Sequence, residues 1–355
     1  MPSHHAQNPP ETRPSDLRPH APELRLDPLS NTAVFLAPQR GLRPIELREA
    51  APTSPTSLPQ ATCPFCRGHE TLAPPSVLSL PDEASWTARV VPNRYPIVDA
   101  PSPLHATPPH DRPAAPRTAI RPAVGLHEVL IESPDHHTRV ESIPAATWVT
   151  AWQASRQRLE SFAAHPWLRF GMLFKNSGPQ AGASLAHVHS QLVGLDFLPT
   201  VLEHKLSRLR QDPALHERVL DDARREQRIW GEAGGLVAFV PAAARQPFES
   251  CIMPGAPEPF FHLASAETVT AIASLTHHYV RQLTALTASA DYNWWLHQAP
   301  FHADRPAGWH WHLEIMPRLT QLAGFELGTG CHITTMPPTI AARLLCEGRA
   351  TGLGE

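Results

Sequence analysis

The chain carries the same order of short segments twice, and each copy closes on a His-x-His strand. No other feature limits its fold as much. In the first copy the β-branched stretches 87–98 (TARVVPNRYPIV) and 127–134 (HEVLIESP) predict strands. A helical stretch follows at about 145–164, then the strand 168–176 (LRFGMLFKN), a Gly-rich loop, and the strand 187–194 (HVHSQLVG). In the second copy 235–241 and 248–254 predict strands, about 265–288 a helix, and 291–298 and 310–317 (HWHLEIMP) the closing pair. A self-similar unit of roughly 120–150 residues is the mark of duplication. Antiparallel strands with one long helix per copy predict an α+β fold whose two sheets lie side by side. The expected division is a tail at 1–20, an N-terminal half at 21–200, a charge-dense helical connector at 201–233 and a C-terminal half at 234–355.

Composition narrows the class. With 355 residues and 42% hydrophobic content, the chain can build one large core or two modest ones. A formal net charge of −3 argues against a reader of nucleic-acid backbones, which needs a basic excess. No apolar run approaches the ~18–20 residues of a membrane span, and the start MPSHHAQNPPETRPSD lacks the basic and apolar regions of a signal peptide. A cytoplasmic protein is expected. Five scattered cysteines do not make a disulfide framework. The prolines, 41 in all, place irregular surface loops around 51–61 and 101–117 and go with an unstructured start over 1–20.

Three places can carry chemistry. Cys63-Pro-Phe-Cys66 aims two thiols at one point, which suits a shared zinc, a redox pair or an inert turn. The segment from Phe174 to Gln191 runs from a strand through Asn176, Gly178, Gly182 and Ser184 into His187-Val-His189-Ser-Gln191. Bare backbone at the two glycines can approach an anion, and Ser184 adds a hydroxyl donor. On a strand His187, His189 and Gln191 would share one face. An imidazole there can attack phosphorus once its other nitrogen is fixed, with the Gln191 amide on a phosphoryl oxygen. A bare His-x-His is more often a half-buried pair satisfied by backbone, but the Gly/Ser loop upstream favours chemistry. The third place is His310-Trp-His312 with His297, either three metal ligands or a polar cluster among tryptophans. The tandem His136-His137 says nothing by itself.

Taken together the motifs resemble the galactose-1-phosphate uridylyltransferase family of the histidine-triad superfamily. The resemblance runs through Arg25-Leu-Asp-Pro, Ala37-Pro-Gln-Arg40-Gly-Leu-Arg43-Pro, Cys63-Pro-Phe-Cys66, Val91-Pro-Asn93-Arg-Tyr-Pro96, Ser133-Pro-Asp-His136, His187-Val-His189-Ser-Gln191 and His310-Trp-His312 with Gly324-Phe-Glu326. It spans roughly residues 24–346. It implies two histidine-triad-like halves, a homodimer, and ping-pong nucleotidyl transfer between nucleotide sugar and hexose 1-phosphate. It also implies zinc held by Cys63, Cys66, His136 and His187, the nucleophile at His189, and phosphate contacts from Gln191 and Ser184. Arg40 and Arg43 would grip phosphate, as guanidinium forks do well. Asn176, Gly178 and Gly182 complete the phosphate loop. Asn93 and the turn carrying Phe65 fall where the nucleobase is held, and Phe325 and Glu326 where a partner subunit reads sugar hydroxyls.

Two departures follow from the same resemblance. Relatives with a second metal, zinc or iron, would place His297, His310 and His312 around it, but Lys205 stands at the offset of the acidic ligand. Glu203 is the nearest substitute. The segment Gly324-Phe-Glu-Leu-Gly-Thr-Gly-Cys331, with Asp291-Tyr-Asn before His297, is as close to ADP-glucose phosphorylase as to uridylyltransferases. Uridylyl exchange from UDP-glucose is the expected activity, adenylyl transfer to phosphate the first alternative. A nucleotide-sugar hydrolase of the superfamily is the second alternative; such hydrolases show His-x-His-x-His, where Gln191 stands here. A zinc-stabilised nucleotide binder without turnover is the remaining one.

Overall fold

Side-chain alternation along the strands sets the layering. The computed structural model describes residues 23–36, 62–101, 122–287 and 290–348. In the first half β3 (Leu78–Leu80), β4 (Ala88–Pro92), β5 (Gly125–Ile131), β6 (Phe170–Ser177) and β7 (His189–Leu195) are interrupted by α1 (Ala145–Ala163) after β5. In the second, β8 (Ile229–Ala233), β9 (Leu236–Phe239), β10 (Ser250–Pro254), β11 (Tyr292–His297) and β12 (His312–Pro317) are interrupted by α4 (Ala266–Thr287) after β10. The ten strands form one sheet in the order β3-β4-β5-β7-β6-β11-β12-β10-β9-β8. All its pairings are antiparallel. The order is the same counted inward from either edge, and the halves join where Tyr292 of β11 faces Ser177 of β6.

One face of this sheet is covered by helices. Trp148, Ala151, Trp152, Ser155, Leu159 and Phe162 repeat at three- and four-residue steps and give α1 a buried stripe. Val269, Ile272, Ala273, Thr276, Val280 and Leu283 do the same for α4. Trp148 Nε1–H donates to Thr276 Oγ1 at 3.1 Å where the helices meet. Leu192, Ile252, Trp294, Leu313 and Ile315 rise from the strands into this core. The alternate residues, among them His189, Gln191, Asn293, His297, His312 and Glu314, therefore point to the opposite face.

Two differences from expectation are physical. Residues 229–233 do not continue the connector but form β8, which turns into β9 at Gly234 and Gly235. Both glycines have positive φ, 50° and 77°, as a two-residue hairpin turn requires. The rest of the connector is α2 (Thr200–Gln211) and α3 (Leu215–Arg225). The short edge strand β3 was likewise absent from the sequence pattern; its three residues are too few to show alternation. A small separate sheet joins β1 (Glu23–Leu26), β2 (Ala33–Leu36) and β13 (His332–Thr334), with α5 (Gly324–Thr329) before β13 and α6 (Pro338–Glu347) after it. Among the described residues no helix is long and apolar enough to cross a membrane.

Candidate active site and metal centre

The strand β7 begins at His189, not His187. Residues 187 and 188 leave the ladder because the loop after β5 takes their polar groups. Val188 N–H donates to His137 O at 2.8 Å, and His187 Nε2–H to Ser133 O at 2.9 Å. His187 therefore offers Nδ1 to its neighbours. Cys63 Sγ lies 3.5 Å and Cys66 Sγ 3.6 Å from that nitrogen, and Cys66 Sγ is 3.3 Å from His136 Nδ1. All four donor atoms fall within 4.8 Å of one another. A tetrahedral zinc with Zn–S near 2.3 Å and Zn–N near 2.05 Å would space sulfur and nitrogen by roughly 3.5 Å. The four residues fit a structural zinc. Burial and the adjacent Cys63 push the Cys66 thiol up to about 12, so a cation is needed to hold both sulfurs as thiolates. Burial holds His187 down to about 4, neutral as a ligand must be. His137, by contrast, bonds Ser142 Oγ at 3.1 Å.

The same loop orients His189. Its Nδ1 meets the His187 carbonyl at 2.8 Å. A carbonyl only accepts, so Nδ1 carries the hydrogen and Nε2 the lone pair. Burial, and then the Lys175 ammonium, lowers the pKa of His189, which keeps it unprotonated near neutrality. Phe65, from the turn between the cysteines, lies against the ring at 5.5 Å between centroids. On the helix-covered side, buried Lys175 pairs with buried Glu132 and donates to His189 O at 2.8 Å. Ser190 Oγ–H closes the set on Glu132 at 2.5 Å.

Two residues along β7, Gln191 Oε1 accepts from His127 Nε2–H at 2.8 Å and from Asn93 Nδ2–H at 3.3 Å. His127 Nδ1 accepts Ile97 N–H at 3.2 Å, which fixes the hydrogen on Nε2. Both donors fall on its oxygen, so these bonds leave the Gln191 NH₂ unused. The loop leading to this row is built around Gly178, whose φ is +87° and whose missing Cβ would sit 1.9 Å from Asp291 Oδ1. Asp291 accepts Gln180 N–H at 2.7 Å, and Asn176 Oδ1 accepts from Asn293 Nδ2–H at 2.7 Å. Gly182, at φ +84°, and Ser184 are exposed.

Other predicted residues lie elsewhere. Arg40 and Arg43 fall outside the described residues. Phe325 stacks edge-on with Phe35 on the exposed helix α5, and the Glu326 carboxylate accepts Ala323 N–H at 3.1 Å. The structure thus does not bring these two to His189 within one chain. In the C-terminal half His297 and His312 come together with Glu314, within 4.8 Å. Glu203 is exposed on α2, and His310 Nδ1–H is turned to Pro254 O at 2.7 Å. Burial and the Lys205 ammonium hold His297 down to about 4. A cavity of about 990 Å³ opens on this face between the halves, walled by Phe174, Asn176, Trp295, His312 and Arg245.

Sequence patterns had passed over Glu132, Lys175, His127 and Glu314. Glu132, Lys175 and His127 act through partners brought by neighbouring strands, and Glu314 through Lys205 of α2 and through Arg245, which only the fold brings together.

The galactose-1-phosphate uridyl transferase N-terminal domain matches residues 13–199. The chain belongs to this family. A domain of unknown function, DUF4921, matches residues 153–348. The chain is 30% identical over 331 residues to an ADP-glucose phosphorylase of Arabidopsis thaliana, covering 92% of this chain and 93% of the relative. It is 26% identical over 350 residues to a galactose-1-phosphate uridylyltransferase of Thermotoga maritima, covering 92% and 98%. A crystal structure of an Arabidopsis thaliana ADP-glucose phosphorylase with bound ADP-glucose superposes with a TM-score of 0.79 at 29% identity, over 92% of this chain and 99% of that one. As a member of the uridylyltransferase family the chain is a nucleotidyltransferase.

Proposed function

We propose that the chain moves a nucleotidyl group from a nucleoside diphosphate hexose to a second phosphate by way of nucleotidyl-His189. The observation that carries this is the His189 ring, fixed through Nδ1–H on the His187 carbonyl so that Nε2 is free. In the first half-reaction Nε2 bonds to the α-phosphorus. The bond from that phosphorus to the bridging oxygen breaks, and its electron pair leaves with hexose 1-phosphate. In the second, an oxygen of the acceptor phosphate attacks the same phosphorus and the Nε2–P bond breaks. Positive charge on the modified ring is eased by the carbonyl at Nδ1–H. Negative charge on the equatorial oxygens is met, in this proposal, by the NH₂ of Gln191, by Ser184 and by the backbone around Gly178 and Gly182. Zinc on Cys63, Cys66, His136 and His187 would supply no step of this chemistry but would hold the loop that carries the His187 carbonyl.

Within this proposal UDP-glucose is the donor and galactose 1-phosphate the acceptor, the commoner activity of the family. A second assignment, adenylyl transfer from ADP-glucose to inorganic phosphate, has its own support in the 30% identity to the Arabidopsis ADP-glucose phosphorylase. A homodimer in which Phe325 and Glu326 serve the neighbouring site belongs to the same proposal. The test is the intact mass of protein mixed with UDP-glucose or ADP-glucose without acceptor. A uridylyl adduct that is absent from the His189→Gly variant supports the first assignment, and an adenylyl adduct the second. Consumption of either sugar nucleotide with no adduct means hydrolysis. No adduct and no consumption overturns both donors.

His127 is expected to act by positioning Gln191. Losing one such hydrogen bond costs about 1 kcal/mol, so His127→Ala should lower kcat by roughly fivefold to tenfold. KM should change little, and His127→Gln, which keeps a donor, should recover part of the loss. In a Gln191→Ala background the His127 substitution should cost almost nothing. An undiminished cost there would show that His127 acts by another route.

A further inference from the structure

In relatives with a second metal the resemblance would place it between His297, His310 and His312, and the structure brings a different group to that place. Lys205, from α2, is buried with its Nζ among three acceptors. Nζ lies 3.0 Å from His297 Nδ1, 2.7 Å from His312 Nε2 and 2.6 Å from Glu314 Oε1. These three atoms are the ones that would converge on a cation.

The tautomers agree with an ammonium. His312 Nδ1 meets the His310 carbonyl at 3.0 Å, so it carries the hydrogen and leaves Nε2 to accept. An ammonium has three N–H donors, and here each finds one acceptor. A metal ion and Nζ cannot both occupy this space.

Charge points the same way. Glu314 is shared: its Oε1 takes Lys205 and its Oε2 takes Arg245 Nη2 at 2.7 Å. Arg245 Nε in turn donates to Glu249 at 2.8 Å. Two cations thus face two carboxylates, Lys205 and Glu249 buried and Arg245 and Glu314 partly so. Adding a divalent ion would leave two positive charges without a counter-ion, at high cost in a low-dielectric interior. His310, which would be the third imidazole, is not among the residues whose donor atoms gather here.

We infer that the Lys205 ammonium replaces the second metal, so that the C-terminal half carries a covalently tethered cation where relatives carry an exchangeable one. The residues present do not fit the metal. Their arrangement does the mechanical part of a metal's work, tying α2 to β11 and β12 by three charge-assisted hydrogen bonds.

Metal content decides the matter without an activity assay. The purified chain is loaded separately with Zn²⁺ and Co²⁺, desalted, and its metal-to-protein ratio measured. The wild-type ratio is expected to be about one, unchanged by His312→Ala. Lys205→Glu restores an acidic ligand and removes the ammonium, so its ratio is expected to double and to return to about one when His312→Ala is added. A wild-type ratio of about two that falls on His312→Ala would overturn the inference. So would a folded Lys205→Glu protein that stays at about one. Should that variant not fold, Lys205→Ala is read by the same criteria, and the wild-type and His312→Ala ratios alone can still refute the tethered cation.

Discussion

Replacing His189 with glycine is expected to reduce turnover by ~10⁴-fold or more, the scale on which enzymes lose rate when a covalent nucleophile is removed. The nucleotide sugar should still bind, because Gln191 keeps its two fixed donors, Asn93 just after β4 and His127 on β5, and the glycine loop is built independently of the imidazole. Steady-state rates set beside a direct binding measurement separate the two effects. Retention of turnover within tenfold of wild type would remove His189 from the chemistry. The pH profile is a second reading of the same group. Nε2 attacks only when unprotonated, so kcat/KM must fall as pH drops through the His189 pKa. Burial and Lys175 hold that pKa below the ordinary imidazole value. The acid limb should therefore lie below about pH 6.5. An acid limb above neutrality would contradict the environment described for this ring.

The second large effect concerns the four residues near the cysteine turn. Chelation, or Cys63→Ser, would leave buried thiols and imidazoles without the cation their geometry suits. Breaking a buried charged set costs about 3–5 kcal/mol, and a melting temperature lower by on the order of 10 °C should follow. Turnover should fall as well, because His187 both faces the sulfurs through Nδ1 and supplies the carbonyl that orients His189. Thermal unfolding with and without chelator, alongside metal content, provides the test, with Cys346→Ser as a control expected to unfold like wild type. If chelator changes nothing and the two thiols instead cycle with oxidant and reductant, the pair is a redox couple.

How much of this could be read from the sequence depended on the distance over which each signal acts. The Cys63–Cys66 turn, the Gly178 loop and the His187-x-His189 row are local; the Gly/Ser loop beside the histidines suggested phosphate chemistry, whereas the cysteine pair alone suited zinc, a redox couple or an inert turn. Joining His136 to Cys63 and Cys66 across some seventy residues needed the family resemblance, and the structure brings all four together. The interior strands showed through their β-branched runs, whereas the edge strands β3 and β8 are short and lean on a single neighbour. Glu314 was the hardest to foresee. It stands two residues beyond His312, so it shares that residue's face of β12. Nothing in the local pattern distinguishes it from an exposed strand glutamate; only Lys205 and Arg245 arriving from other elements give it a role. The helical connector was legible as charge-dense helix, but the burial of Lys205 on it was not.

The seam of the sheet has a consequence for how the chain is made. As residues leave the ribosome, β3, β4, β5, β6 and β7 exist before any of β11 does. In the finished sheet β6 lies between β7 and β11. Until residues 292–297 are synthesised, one side of Phe170–Ser177 therefore offers its amides and carbonyls to any passing strand. That open edge alternates large apolar groups with little charge, and Lys175, its one cation, is committed to Glu132. The hazard of aggregation in this protein is thus concentrated in the interval in which its first half waits for its second.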